Sequence, residues 1–313
     1  FFFIKNTANA IVVDYEIENF LKEITNPILS ASKINLQYPG FVVLVDKTPN
    51  AFVDPLNRVF VTTGFISFVN SPEGITGVLA HEIGHIEARH IDKRVSKLNE
   101  KKLAASITNI LSLSASILSN NSDVFIASNV TSNEIIKSNL SNYSKDQERE
   151  ADIIALGYLE ESKISTQGLE DLLKKMIFLS EKTGIKENEI NIFSHPYKTE
   201  RIHLINKFQE TSKYNNSFFS DETVKKFKFV QAKINGYTLS LKDNQSIYKD
   251  PSSNFGKYAL SISYAKEGYL HESINLINEI ITIYPNNPYF YETKGEILIS
   301  FGYSDEANKF FRK

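Results

Sequence analysis

Thr76-Gly77-Val78-Leu79-Ala80-His81-Glu82-Ile83-Gly84-His85-Ile86-Glu87-Ala88-Arg89-His90 is the stretch on which the reading of this chain turns. Val78, Leu79, Ile83 and Ile86 fall at helical spacings and mark a buried face. Inside it sits an H-E-x-x-H motif. Residues four apart lie one above the other on a helix, so His81 and His85 point the same way. Two imidazole nitrogens so placed suit a zinc ion, at roughly 2.0–2.1 Å each. Glu82 lies one step round the helix, where a carboxylate can take a proton from water activated by the metal. The motif is short enough to arise by chance in a long chain. Its apolar flanks argue otherwise, because two histidines and a glutamate buried without partners would be costly. Gly84 in mid-helix costs about 1 kcal/mol relative to Ala, and close packing or a functional contact is the usual reason.

A third protein ligand is needed, and its place separates classes of zinc peptidase. The metzincin pattern requires Gly at 88 and His at 91; the chain has Ala88 and Ile91, which excludes that class. His90 reads as the end of the same helix, where a rotation of ~100° per residue turns it away from the pair. The role this suggests is a cation near a helix C-terminus. A better candidate lies in Asp146-Gln147-Glu148-Arg149-Glu150-Ala151-Asp152. Glu148 and Asp152 are four apart and share a face with Ala151 and Ala155, whose small side chains permit close packing against the first helix. Glu148 is therefore the expected third ligand, and Asp152 the carboxylate that orients a ligand histidine. Glu150 points to nearly the opposite side and, with Asp146 and Arg149, fits a solvated helix start.

His81-Glu82-x-x-His85 followed by Glu148-x-x-x-Asp152 resembles the gluzincin family of zinc metallopeptidases that includes HtpX and BepA. Asn50-Ala51-Phe52, the strand ending Thr63-Gly64, and Ser194-His195-Pro196 followed by Arg201-Ile202 agree with it. The resemblance spans about residues 14–210, and the C-terminal part resembles the tetratricopeptide extension of the BepA-like branch. HtpX-type members have several transmembrane helices; here no apolar run reaches the ~18 residues a span needs. The resemblance implies a metalloendopeptidase with one Zn2+ per chain, acting on unfolded or misassembled proteins. It further implies quality control in the bacterial periplasm or envelope, and a substrate-binding strand at Asn50, Ala51 and Phe52. An ordinary short strand is the alternative there.

With 313 residues the chain is long enough for two domains. A formal net charge of −2 leaves no electrostatic footprint for nucleic acid. The absence of cysteine rules out disulfides and any thiolate metal site. The start at Phe1-Phe2-Phe3-Ile4 suggests the tail of a removed signal or anchor segment, or a trimmed chain.

Taken in order, residues 14–32 read as an amphipathic helix, with Ile17, Phe20, Leu21 and Ile24 on one side. Strand-like runs follow at 40–45 and 58–63, with Asn50–Val53 between them. Helical patterns at 103–118 and 124–140 are expected to form a lid over the cleft, although their moderate apolarity also permits shallow membrane contact. Another helix is expected at 166–179, then a loop around Ser194-His195-Pro196-Tyr197 and a helix from Thr199. His195, Tyr197 and Arg201 are candidates to donate a hydrogen bond to the oxyanion of the tetrahedral intermediate. His195 could instead occupy the open metal position or cap its loop, and Arg201 could instead pair with an acidic neighbour. His203 reads as scaffold.

Residues 211–254 are polar and read as a linker with one helix at 223–234. Beyond it Gly268, Tyr269 and Glu272 recur as Gly302, Tyr303 and Glu306, the 34-residue tetratricopeptide period. The expected fold is α+β: a mainly helical zincin-type peptidase domain with a small sheet at 1–210, then the linker, then a tetratricopeptide-like helical module at 255–313. That module is expected to recruit protein substrates or dock the enzyme on a membrane assembly. The alternative is a repeat-based chaperone or assembly-binding protein whose zinc site is structural or latent.

Overall fold

The computed structural model describes residues 11–38, 40–95, 143–183 and 199–311. The expected lid helices, the loop carrying His195 and Tyr197, and the N-terminal Phe1–Ile4 lie outside them. The described residues fall into two compact units: those of 21–220 with 11–13, and those of 221–311 with 14–20. Helix α1 (Tyr15–Ser32) therefore contributes its first turns to one unit and the remainder to the other.

The first unit contains a four-stranded mixed sheet. Strands β1 (Ile11–Val12), β2 (Phe41–Leu44), β3 (Ala51–Val53) and β4 (Val59–Thr62) lie in the order β1-β2-β4-β3. β2 and β4 run parallel, with Phe41 opposite Val59, and β3 pairs antiparallel with β4. Val and Phe fill β2, β3 and β4, and every one of their residues is buried, as expected of strands covered on both faces. The β3–β4 turn is locked by Asp54. Its Oδ1 accepts from the backbone N–H groups of Leu56 and Arg58, and its Oδ2 accepts from Arg58 Nε at 2.8 Å. Thr62 then ends β4 and caps α2 (Thr63–Phe68) by accepting from the Phe65 N–H.

Helix α3 (Pro72–Glu87) carries the H-E-x-x-H motif. Ser71 caps it by accepting from the Gly74 N–H, and Pro72 takes the first helical position, where no N–H is needed. Every residue from Pro72 to Ile86 is buried, so α3 is a central helix rather than an amphipathic surface one. Two glycines let its neighbours approach. A Cβ on Gly84 would stand 2.7 Å from the Ala151 carbonyl oxygen of α5 (Lys145–Glu161), and one on Gly77 would stand 2.7 Å from Leu169 Cβ of α6 (Gln167–Thr183). Close packing is thus the reason for Gly84 that its helix-breaking cost demanded. Ala80 and Ile83 of α3 pack with Ala155 and Leu159 of α5 and with Ile28 of α1. A short helix α4 (His90–Val95) follows α3, and α7 (Thr199–Gln209) completes the described helices of this unit.

The second unit is helical: α8 (Asp221–Thr238), α9 (Leu241–Ile247), α10 (Asn254–Lys266), α11 (Leu270–Ile283), α12 (Pro288–Ser300) and α13 (Ser304–Ala307). The expected linker is corrected here. Residues 221–247 form two helices, not one, and Phe229 and Ala232 of α8 share a core with Tyr258, Ile262, Ile277 and Phe290. The many Lys, Asn and Ser residues of this segment hide an apolar stripe that includes Phe227, Val230 and Ile234, all buried. From α10 onward the architecture repeats with an offset of 34 residues (Asn254 to Pro288, Leu270 to Ser304). Gly268 and Gly302 occupy equivalent left-handed positions, φ +89° and +85°, between paired helices. Lys233 is buried in this unit and paired with Asp14 at 2.7 Å and Glu16 at 3.2 Å.

No described helix is long and apolar enough to cross a membrane.

Candidate metal centre

Two helices build the site. α3 presents His81, Glu82 and His85, and α5 presents Glu148 and Asp152, all of them buried. The start of α5 is fixed by a capping box: Ser144 Oγ accepts from the Gln147 N–H, and the Gln147 side chain accepts from the Ser144 N–H. Glu148 follows directly, in the first turn.

His81, His85 and Glu148 bring ligand atoms within 4.8 Å of one another. The two Nε2 atoms lie 3.1 Å apart. His81 Nε2 is 3.3 Å from Glu148 Oε2, and His85 Nε2 is 3.7 Å from Glu148 Oε1. A tetrahedron with metal–ligand bonds of roughly 2.0–2.1 Å has edges of about 3.3–3.4 Å. The separations of 3.1, 3.3 and 3.7 Å, the last two to different Glu148 oxygens, lie around that value, and two imidazoles with a carboxylate are the donor set of a catalytic zinc site. The residues fit the metal.

Each histidine is also gripped at its other ring nitrogen. His81 Nδ1 lies 2.8 Å from Asp152 Oδ1. Arg201 of α7 holds the same carboxylate with two donors, Nε at 2.8 Å to Oδ2 and Nη2 at 2.7 Å to Oδ1. Arg201 Nη2 also lies 3.2 Å from His81 Nδ1. With Nε2 facing a metal, Nδ1 carries the proton and cannot accept, so both groups serve Asp152 and the short approach follows from sharing it. Burial pushes the Asp152 carboxyl up, but Arg201 and then His81 outweigh it and hold the pKa at about 2. Burial likewise opposes the Arg201 charge. Asp152, then Glu148 and Glu82, outweigh it and raise the pKa above its ordinary value.

His85 is held differently. Its Nδ1 lies 2.9 Å from His90 Nδ1, and His90 Nε2 lies 3.0 Å from Glu150 Oε2. The Tyr143 ring stacks on His85, with centroids 3.8 Å apart and planes 25° from parallel. The expectations for His90 and Glu150 are corrected on this point. α3 does not run through to His90: it ends at Glu87, and Arg89 takes a left-handed conformation with φ 53°. That reversal folds the imidazole of His90 back onto His85. Glu150 points away from Glu148, as its spacing predicts, but its carboxylate ends on His90 rather than in water alone. No glycine marks the reversal in the sequence, and no helical spacing joins 85, 90, 143 and 150; composition alone does not reveal this arrangement.

The remaining expected residues are placed as follows. Arg201 has an acidic partner, as the second of its two readings expects, and that partner is Asp152. Asn50 precedes β3; its N–H donates to Thr62 Oγ1 at 2.8 Å, and its carbonyl accepts from the Thr62 N–H at 2.9 Å. Ala51 and Phe52 lie in β3, the last strand in the sheet order, beside α3, and Phe52 stacks on Phe60 at 5.0 Å. His203 lines a cleft of about 560 Å³ together with Glu148, Asp152, Glu200 and Arg201. A smaller cavity of about 20 Å³ lies beside Glu82, walled by Val78, Leu169, Leu172 and Met176. His195 lies outside the described residues.

Residues 17–209 match peptidase family M48, and the chain belongs to that family. Among curated proteins it is 43 % identical over 54 residues to the mitochondrial metalloendopeptidase OMA1 of Schizosaccharomyces pombe, covering 17 % of this chain and 16 % of the relative. It is 41 % identical over 64 residues to a protease HtpX homolog of Methanocaldococcus jannaschii, covering 20 % and 22 %. The longer match, to OMA1 of Saccharomyces cerevisiae, is 27 % identical over 164 residues and covers 51 % and 44 %. The matched stretches thus span less than half of each of these relatives.

Proposed function

We propose that the chain is a zinc-dependent metalloendopeptidase, with one zinc ion held by Nε2 of His81, Nε2 of His85 and the Glu148 carboxylate. The observation that supports it most is the convergence of these three ligands from two adjacent buried helices within an M48 domain. Zinc at such a site polarises a carbonyl and acidifies water. Glu82 then acts as general base and afterwards as acid toward the leaving amine. Asp152 keeps the Nδ1 proton on His81, and Arg201 is a positioning residue that acts through Asp152, in place of a direct catalytic role. β3, preceded by Asn50, binds extended substrate by backbone pairing beside α3. The helical module with the 34-residue period is of tetratricopeptide type; it recruits unfolded or misassembled proteins, or docks the enzyme on a membrane assembly, in quality control of the bacterial envelope.

The test is casein hydrolysis by the zinc-loaded protein beside Glu82→Gln at equal zinc content. The parent cleaves, and the variant is slower by at least ~10²–10⁴-fold, the usual contribution of a general base. Equal cleavage by both removes Glu82 from the chemistry. No cleavage by either, with zinc bound one to one, favours the repeat-based binding protein with a latent site.

A further inference from the structure

Both candidate ligand histidines meet at Nε2, so each must carry its proton at Nδ1 and needs an acceptor there. For His81 that acceptor is Asp152. For His85 another imidazole nitrogen, His90 Nδ1, lies at 2.9 Å from Nδ1. The protons can be placed in one consistent way. His85 Nδ1–H donates to the lone pair of His90 Nδ1, and His90, neutral, donates its Nε2–H to Glu150 Oε2 at 3.0 Å. The opposite placement, with the His90 proton on Nδ1, would force the His85 proton onto Nε2 and close that nitrogen to a metal. His90 is not itself a ligand, since its contact is with the side of the His85 ring opposite Nε2.

We infer that His90 and Glu150 are a positioning pair that fixes the tautomer and ring orientation of His85, so that its Nε2 is offered to the metal. Glu150 anchors the Nε2 proton of His90; the Nδ1 lone pair of His90 anchors the proton of His85; Tyr143 holds the ring plane. The inference rests on the metal-site reading above and extends it to residues that bear on metal affinity without touching the metal. Outer partners of metal-ligating histidines are worth about 10–100-fold in affinity.

The measurement is the zinc dissociation constant by competition with a fluorescent chelator, on parent, His90→Ala, His90→Asn, Glu150→Ala and His81→Ala. Thermal denaturation of each metal-free form controls for folding. His90→Ala should weaken zinc binding about 10–100-fold. His90→Asn, whose Oδ1 can take over the acceptor role toward His85, should recover most of the loss. His90 is fully buried, so Glu150→Ala supplies a variant at a half-exposed side chain; it should weaken binding several-fold with the metal-free Tm unchanged. Zinc affinity in Glu150→Ala equal to the parent, or equal losses in His90→Asn and His90→Ala, overturns the positioning role. A parent that does not bind zinc, or a His81→Ala protein that binds it as well, overturns the metal-site reading instead.

Discussion

His81 and His85 stand one helical turn apart and converge at Nε2, yet they are held from behind by opposite kinds of partner. Behind His81 lies a buried ion pair, Asp152 with Arg201, in which the carboxyl is depressed to about 2 and stays ionised. Behind His85 lies a second imidazole, His90, assigned above as the neutral acceptor, and the anion that completes the chain, Glu150, is half exposed. Both arms satisfy one requirement, an acceptor for the Nδ1 proton. They do so at different electrostatic cost. A buried ion pair is expensive to desolvate and far more expensive to break, because removing one member strands the other. An imidazole relay strands no charge when it is cut.

The sharpest way to break the comparison is to cut the charged arm. Asp152→Ala takes from the part-buried Arg201 guanidinium its two-point partner, leaving Glu148 at 3.7 Å, and removes the acceptor of His81. We expect a loss of stability of up to about 3–5 kcal/mol, the cost of breaking a buried ion pair, lessened by the Glu148 carboxylate that still faces Arg201. Zinc affinity should fall at least as far as in His90→Ala. Urea denaturation and chelator competition on the same samples measure both. If Asp152→Ala costs no more stability than His90→Ala, the two arms are equivalent and the distinction between charged and neutral support fails.

A smaller effect is expected where the two arms share a foundation. α3 and α5 carry all three expected ligands, and Gly84 sets how closely they approach. In Gly84→Ala the added carbon would stand 2.7 Å from the Ala151 carbonyl oxygen and 3.2 Å from its Cα, so backbone must move. Alanine gains about 1 kcal/mol in helix propensity, against typically 1–3 kcal/mol for overpacking. The net should be a loss of up to about 2 kcal/mol in stability by denaturation, with a drop in zinc affinity as Glu148 is carried away from both histidines. Unchanged affinity would show that the ligands tolerate the shift and that neither arm depends on helix spacing.

The two arms also differ in how far they could be read from sequence. His81, His85, Glu148 and Asp152 are related by steps of four within single helices, so periodicity reveals which of them share a face. The pairing of one helix with the other is hinted at by Gly84, Ala151 and Ala155. The mainly helical domain and its small sheet were legible in the same way, from Val- and Phe-rich runs at 41–44 and 59–62. The His85 arm was not, because it depends on where α3 stops. A helix extrapolated through Ala88 and Arg89 carries His90 away from the pair; the actual reversal at Arg89 brings it back. Helix ends are set by single backbone conformations, and a non-glycine residue in the left-handed region leaves no signature. The same blindness applied to 221–247, where the exposed Lys225, Lys226, Lys228 and Lys242 outnumber the buried Phe227 and Phe229 that make α8 part of a core.

That reversal is itself open to test, and it is where the smallest effect is expected. A left-handed conformation costs an ordinary L-residue about 1–2 kcal/mol relative to glycine, whereas glycine adds unfolded-state entropy worth about 0.5–1 kcal/mol. Arg89→Gly should therefore stabilise the protein by a few tenths to about 1 kcal/mol. It should leave zinc affinity unchanged, since the backbone path that returns His90 to His85 is retained and eased. Denaturant unfolding reads the first effect and chelator competition the second. Lost affinity in a stabilised Arg89→Gly protein would mean that the Arg89 side chain, and not only its backbone, holds His90 in place. The neutral arm would then depend on a cation after all, and the contrast with the Asp152–Arg201 arm would narrow to a difference in distance.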